Sequence, residues 1–150
     1  MDLLLWRHAD AVTGTPDAER KLSEKGQHQA EKVGNWLRHH APAELTLLVS
    51  PLVRARQTAE AFSKSYTLVA ALANAASPQE LLKAAGWPSA GGAVMLVGHQ
   101  PTLGEVAAQL LGTNGSLSVR KGALWWFRTK PQARGSVIEL RIVVDPAELD

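Results

Sequence analysis

Three short apolar runs, each broken off at polar or charged residues, set the strongest limit on how this chain can fold. Leu3-Leu4-Leu5-Trp6 stops at Arg7-His8, Leu45–Val49 stops at Ser50-Pro51, and Val94–Val97 stops at Gly98-His99. Runs this short, ended at once by polar residues, read as buried strands rather than helices. In open α/β sheets ligands bind beyond the carboxyl ends of the strands. If the three runs are parallel neighbours, the residues that stop them meet on one rim. That rim holds Arg7, His8, Ser50, His99 and, one turn into the segment after Ser50, Arg54.

Between the runs the pattern turns helical. Ala11–Lys21 is a loop by composition, and Ser23 then offers an N-cap with Glu24 in the first turn. Ala30, Val33, Trp36 and Leu37 follow at helical spacing until Pro42 stops the helix. Leu52–Ser65 is helical in pattern, with Ala55, Ala59 and Phe62 on one side, and Tyr66–Leu72 is a weak strand. Ser77-Pro78 starts a helix with Glu80 in its first turn, ending near Gly86. Pro101–Leu111 is the next helix, closed by Gly112. Ala123–Arg128 and Val137–Val144 pair as an antiparallel hairpin. The alternation predicts one α/β domain over 1–150, with a mostly parallel central sheet, helices on both faces and an antiparallel edge.

Composition removes several functions. The absence of cysteine excludes a disulfide scaffold, a thiolate zinc site and a thiol nucleophile. A net charge of only +2 gives no electrostatic case for nucleic acid. Trp125, Trp126 and Phe127, near Arg120, Lys121, Arg128 and Lys130, could form a stacking platform, but strand alternation sends adjacent tryptophans to opposite faces, so one belongs to the core. His28, His39 and His40 read as surface histidines. No apolar run approaches the roughly 18 residues of a membrane span. The N-terminus lacks a basic segment followed by an apolar stretch and a cleavage site, so a cytoplasmic protein is expected.

The motifs at the rim resemble a known family. Arg7-His8-Ala9 resembles the RHG signature of the histidine phosphatase superfamily; SPLVRARQTAE at 50–60 resembles its second motif, and VGHQPTL at 97–103 its third. LSEKGQHQA at 22–30 fits the stretch between the first two. The short chain and the GHQP form are most similar to the small, SixA-like branch of phosphohistidine phosphatases. The resemblance covers nearly the whole chain and implies a phosphoglycerate mutase-like three-layer sandwich. It also implies that His8 is a nucleophile phosphorylated on a ring nitrogen, that Arg7, Arg54 and His99 complete the phosphate pocket, and that Arg20 is a further phosphate contact. Ser50 is a candidate for substrate binding. Ala9 replaces the usual glycine of the signature, which asks the backbone there to accept a Cβ.

Physical chemistry supports these roles. Phosphoryl transfer spreads negative charge over equatorial oxygens, so catalysis rests on positioning and charge stabilisation. Arginine forks match that charge and stay protonated. His8 has to attack as neutral imidazole, and a bond from its other ring nitrogen to a backbone carbonyl would fix the tautomer. His99 suits a donor to a phosphate oxygen, protonated in the presence of the anion. Asp10 and Glu80 are the acids that could protonate a leaving group; Glu80 reads better as a helix-start charge. An imidazole leaving group has a pKa near ~6.5 and needs an acid far less than an alkoxide does. The resemblance implies, and this chemistry favours, a phosphohistidine on a partner protein as the substrate, such as a histidine phosphotransfer domain. A general phosphomonoesterase acting on small phosphate esters is the second reading, and an inactive phosphate-binding module the third. A mutase would need extra segments to reorient an intermediate. A metal at His8, Asp10 and His99 is disfavoured because Arg7 and Arg54 would crowd it with like charge; no cofactor is expected.

Overall fold

A computed structural model describes residues 1–150. The strands are β1 (Asp2–Arg7), β2 (Leu45–Val49), β3 (Thr67–Leu68), β4 (Ala93–Gly98), β5 (Leu124–Pro131) and β6 (Ser136–Val144). The α-helices are α1 (Glu24–His40), α2 (Val53–Glu60), α3 (Pro78–Ala85) and α4 (Thr102–Leu110). All six strands form one sheet in the order β3-β2-β4-β1-β5-β6. The first four strands are parallel where they pair, and β5 and β6 run antiparallel. The three apolar runs are thus β1, β4 and β2, side by side as the sequence implied.

Alternation along β1 explains the layers. Leu4 and Trp6 point to one face and pack with Val33 and Leu37 of α1 and Ala55 and Ala59 of α2. Leu3 and Leu5 point to the other, where Leu81 and Leu82 of α3 meet Leu103, Val106 and Ala107 of α4. A strand covered on both faces has no polar side, which is why Leu3–Trp6 is an unbroken apolar run. Trp126 sits with the first cluster at 4% exposure, whereas the half-buried Trp125 packs against the second. The tryptophans therefore face opposite ways and form no stacking platform.

The helix signals hold at α1 and α3. The Ser23 hydroxyl accepts from Gly26 N, and Ser77 forms a capping box with Glu80 before Gly86 closes α3 in the left-handed region at φ 72°. Two expectations need correction. The Leu52–Ser65 helix ends at Glu60, because Arg38 of α1 donates to the Ala61 carbonyl, capping the C-terminus, and the Ser63 hydroxyl takes the amide of Ser65. The Tyr66–Leu72 strand shrinks to Thr67–Leu68, followed by a 3-10 turn at Ala70–Leu72. No helix is long and apolar enough to cross a membrane.

Candidate active site

The site grows from the last backbone bonds of the three central strands. Arg7 faces Gly98 and Val49 faces Val97 across the sheet. His8 N then donates to Gly98 O and Ser50 N to Val97 O, so the residues after each strand stay in register for one more step. The His8 and His99 rings lie 5.1 Å apart, centroid to centroid, tilted by 54°. Arg54, in the first turn of α2, and Arg7, at the end of β1, are close enough to both imidazoles to depress their pKa values. The structure therefore brings together Arg7, His8, Arg54 and His99, and Ser50 with them.

His8 is 8% exposed, and its Nδ1 lies 2.7 Å from the carbonyl of Ala9. A carbonyl only accepts, so Nδ1 carries the proton and Nε2 keeps its lone pair. Burial drives the His8 pKa from its ordinary 6.5 to about 3; the Ala9 carbonyl opposes the shift, and the positive charge of His99, Arg54 and Arg7 adds to it. The ring is neutral at pH 7. Ala9 is fully buried and sits at negative φ, so the Cβ is accepted without left-handed strain. Its amide donates to Thr58 Oγ1 at 3.0 Å, and that hydroxyl donates to Arg54 O at 2.7 Å. One buried threonine thus ties the nucleophile segment to the helix that carries Arg54.

Arg7 is held from the other side by a 2.9 Å bond from its guanidinium to Val119 O. Arg54 donates to the Asp17 carbonyl at 2.9 Å and pairs with its carboxylate at 3.1 Å. Four buried side-chain polar atoms have no partner, and three of them are Arg7 Nε, Arg54 Nε and His99 Nδ1. The fourth is Thr129 Oγ1 on β5, away from the rim; three of the four gather here, and this concentration of unmatched nitrogens suits an oxygen-rich ligand.

Several candidates take a different place from the one expected. Ser50 is fully buried and its hydroxyl lies 2.7 Å from His99 Nε2, so it orients His99 rather than meeting substrate. Arg20 makes its bonds to Val12 O and the Asp17 carboxylate, the same carboxylate that pairs with Arg54, and so braces the residue that holds Arg54. Asp10 is committed twice over: its carboxylate accepts from the Ser23 hydroxyl and pairs with Lys121 at 2.9 Å. Those bonds hold its pKa below the usual carboxylate value, which unfits it as a proton donor. Glu80 serves the α3 capping box, although it lines a cleft with His99 and Glu105. His99 is pushed from 6.5 to about 4 by burial, then by Arg54, so it is neutral in the free site; an arriving anion would raise it. His28, His39 and His40 are exposed, and the last two bond helix carbonyls with Nδ1.

Two participants were missed. Asp17 lies in a loop whose composition signals only a turn. Thr58 sits inside the quoted RARQTAE stretch, and its one clue is a β-branched hydroxyl residue mid-helix, four residues after Arg54.

The site is an imidazole pair and two guanidiniums at the carboxyl end of a parallel sheet. The same class emerges from comparison. The family model of the histidine phosphatase superfamily (branch 1) matches residues 3–75. A phosphohistidine phosphatase SixA homolog of Haemophilus influenzae is 30% identical, the match covering 79% of this chain and 82% of that one. The chain belongs to the histidine phosphatase superfamily. The SixA-type structure from Nakamurella multipartitia superposes with a TM-score of 0.74 at 26% identity, covering 97% of this chain and 95% of that one. The SixA-type structure from Agrobacterium tumefaciens shares the fold at a TM-score of 0.78 and 24% identity, with 97% of each chain covered.

Proposed function

We propose that the protein is a phosphohistidine phosphatase that moves a phosphoryl group from a phosphohistidine on a partner protein to His8 and then to water. The observation that carries this reading is the His8 Nδ1 bond to Ala9 O, which leaves a neutral ring with Nε2 as its nucleophilic atom. In the first step Nε2 attacks phosphorus as the bond to the substrate's imidazole nitrogen breaks. The substrate ring, protonated on its far nitrogen by solvent, departs neutral. His8 keeps its Nδ1 proton on the Ala9 carbonyl and becomes a phosphoimidazolium. In the second step water attacks phosphorus, the P–Nε2 bond breaks, the water's proton goes to solvent, and His8 returns to its starting tautomer.

Arg7 and Arg54 neutralise the equatorial oxygens in both steps. His99, oriented by Ser50, donates to one of them. Both guanidiniums lie close enough to His8 and His99 to crowd a cation there with like charge, which supports arginine as the charge stabiliser. Asp10 is ion-paired with Lys121 and Glu80 is engaged in the α3 capping box, which supports a P–N over a P–O substrate.

The test is a panel of phosphohistidine-bearing proteins and small phosphate esters, assayed with and without chelator. Phosphohistidine proteins should turn over fastest, unaffected by chelator. Faster hydrolysis of small esters would reassign the protein as a general phosphomonoesterase. Activity lost to chelator and restored by zinc or manganese would replace the arginine account.

A further inference from the structure

Beside the His8 rim lies a cleft of about 590 Å³ between one face of α1 and the Ser118–Lys121 loop. Its α1 wall carries Lys25, His28, Gln29 and Lys32, at the spacing that keeps residues on one helix face. The opposite wall carries Arg120 and Lys121, with Arg7 at the inner end and Asp145 as the one carboxylate. Five cations and one anion line a cleft on a protein of net charge +2, so the remainder of the molecule is net negative. Arg120 is paired with Asp145 and Lys121 with Asp10, but neither Lys25 nor Lys32 joins an ion pair. The Lys32 ammonium makes only a 3.1 Å bond to Leu149 O.

The cleft is joined to the nucleophile segment. Gln29 Oε1 accepts from Asp10 N at 2.9 Å, Lys121 holds the Asp10 carboxylate, and Gly122 N donates to the His8 carbonyl at 3.1 Å. Whatever occupies the cleft is thereby held in fixed relation to His8. On the far side of His99 the neighbouring cleft carries Glu80 and Glu105 instead. The rim is positive at one end and negative at the other, an arrangement that orients a polar partner.

We propose that this cleft docks an acidic face of the phosphohistidine-bearing protein, steering the phosphorylated imidazole toward His8; the proposal rests on the phosphatase reading above. Lys25 and Lys32 are spread over about 10 Å of helix, which suits a row of carboxylates on a folded surface. No tryptophan, tyrosine or phenylalanine lines the cleft to stack a nucleotide base, and almost no apolar side chain lines it to receive a hydrophobic segment.

The test compares wild type, Lys25→Glu/Lys32→Glu and Lys25→Arg/Lys32→Arg on two substrates: a phosphorylated histidine phosphotransfer domain and free phosphohistidine. The charge reversal should lower kcat/KM for the protein substrate by about 10-fold or more, through KM, and flatten its dependence on salt. Turnover of free phosphohistidine should be unchanged, and the arginine pair should behave as wild type. Equal losses on both substrates, or no loss on either, would overturn the docking surface while leaving the phosphatase reading intact. Wild type that turned over neither phosphohistidine substrate would overturn the reading beneath it. Nucleoside triphosphate binding abolished by the reversal, with protein turnover intact, would assign the cleft to a small polyanion instead.

Discussion

Replacing Thr58 by valine removes one hydroxyl and almost no volume, and should damage both stability and catalysis. The side chain is fully buried and its Oγ1 accepts from Ala9 N at 3.0 Å while donating to Arg54 O at 2.7 Å. Valine fills the same space, so no cavity forms, and its helix propensity is close to that of threonine. What remains is the cost of a buried Ala9 amide without an acceptor, about 1–3 kcal/mol. In a chain of this size that lowers Tm by roughly 2–12 °C. Ala9 also carries, on its next peptide unit, the carbonyl that fixes the His8 tautomer, so kcat should fall by about 10-fold or more as the ring loses its orientation. Urea denaturation and phosphohistidine turnover measure the two effects, with Thr58→Ser, which restores the hydroxyl, recovering most of both. A Thr58→Val protein within about 0.5 kcal/mol of wild type, with unchanged kcat, would refute the claim that this bond holds the nucleophile.

Acid should destabilise the fold through the site. His8 and His99 titrate near 6.5 unfolded but at about 3 and about 4 folded. Between those values the unfolded chain binds protons that the native state refuses, so their contribution is complete above pH 6.5 and erodes as pH falls toward 3. Tm should therefore drop between pH 7 and pH 4, and His99→Gln should flatten that drop; an unchanged slope would contradict the burial argument. Asp17 pairs with Arg54 through a side chain that is 64% exposed, and its charge bears on His99 as well. Asp17→Asn, which leaves the Asp17 carbonyl bond to Arg54 in place, should tighten inhibition by vanadate about two- to fivefold, a range consistent with an exposed pair; weaker inhibition would mean that the carboxylate is needed to position Arg54 rather than competing with the anion.

The central sheet and its rim were legible because burial on both faces leaves β1 and β4 as plain apolar runs, β2 is apolar but for the exposed Thr46, and the first polar side chain after each marks where the run stops. The roles of Ser50 and Asp10 were not legible, since each depends on a partner far along the chain: Ser50 on His99, and Asp10 on Lys121, 111 residues away; Arg20 bonds Val12 and Asp17 within its own loop, whose composition signals no more than a turn. The early end of α2 depends on Arg38 reaching across from α1, which periodicity within 52–65 does not encode. The basic cleft was hidden for the same reason: the spacing of Lys25 and Lys32 is visible, but the loop that turns this face into one wall of a cleft lies almost a hundred residues further on.

Rapid quenching of turnover, followed by peptide mapping, tests the central assignment most directly. Phosphate from a labelled phosphohistidine protein should appear transiently on the peptide containing His8, stable in base and lost in acid, and His8→Ala should abolish both the label and turnover. Sustained phosphate release without any labelled His8 peptide, or with His8→Ala still active, would contradict covalent transfer through this residue.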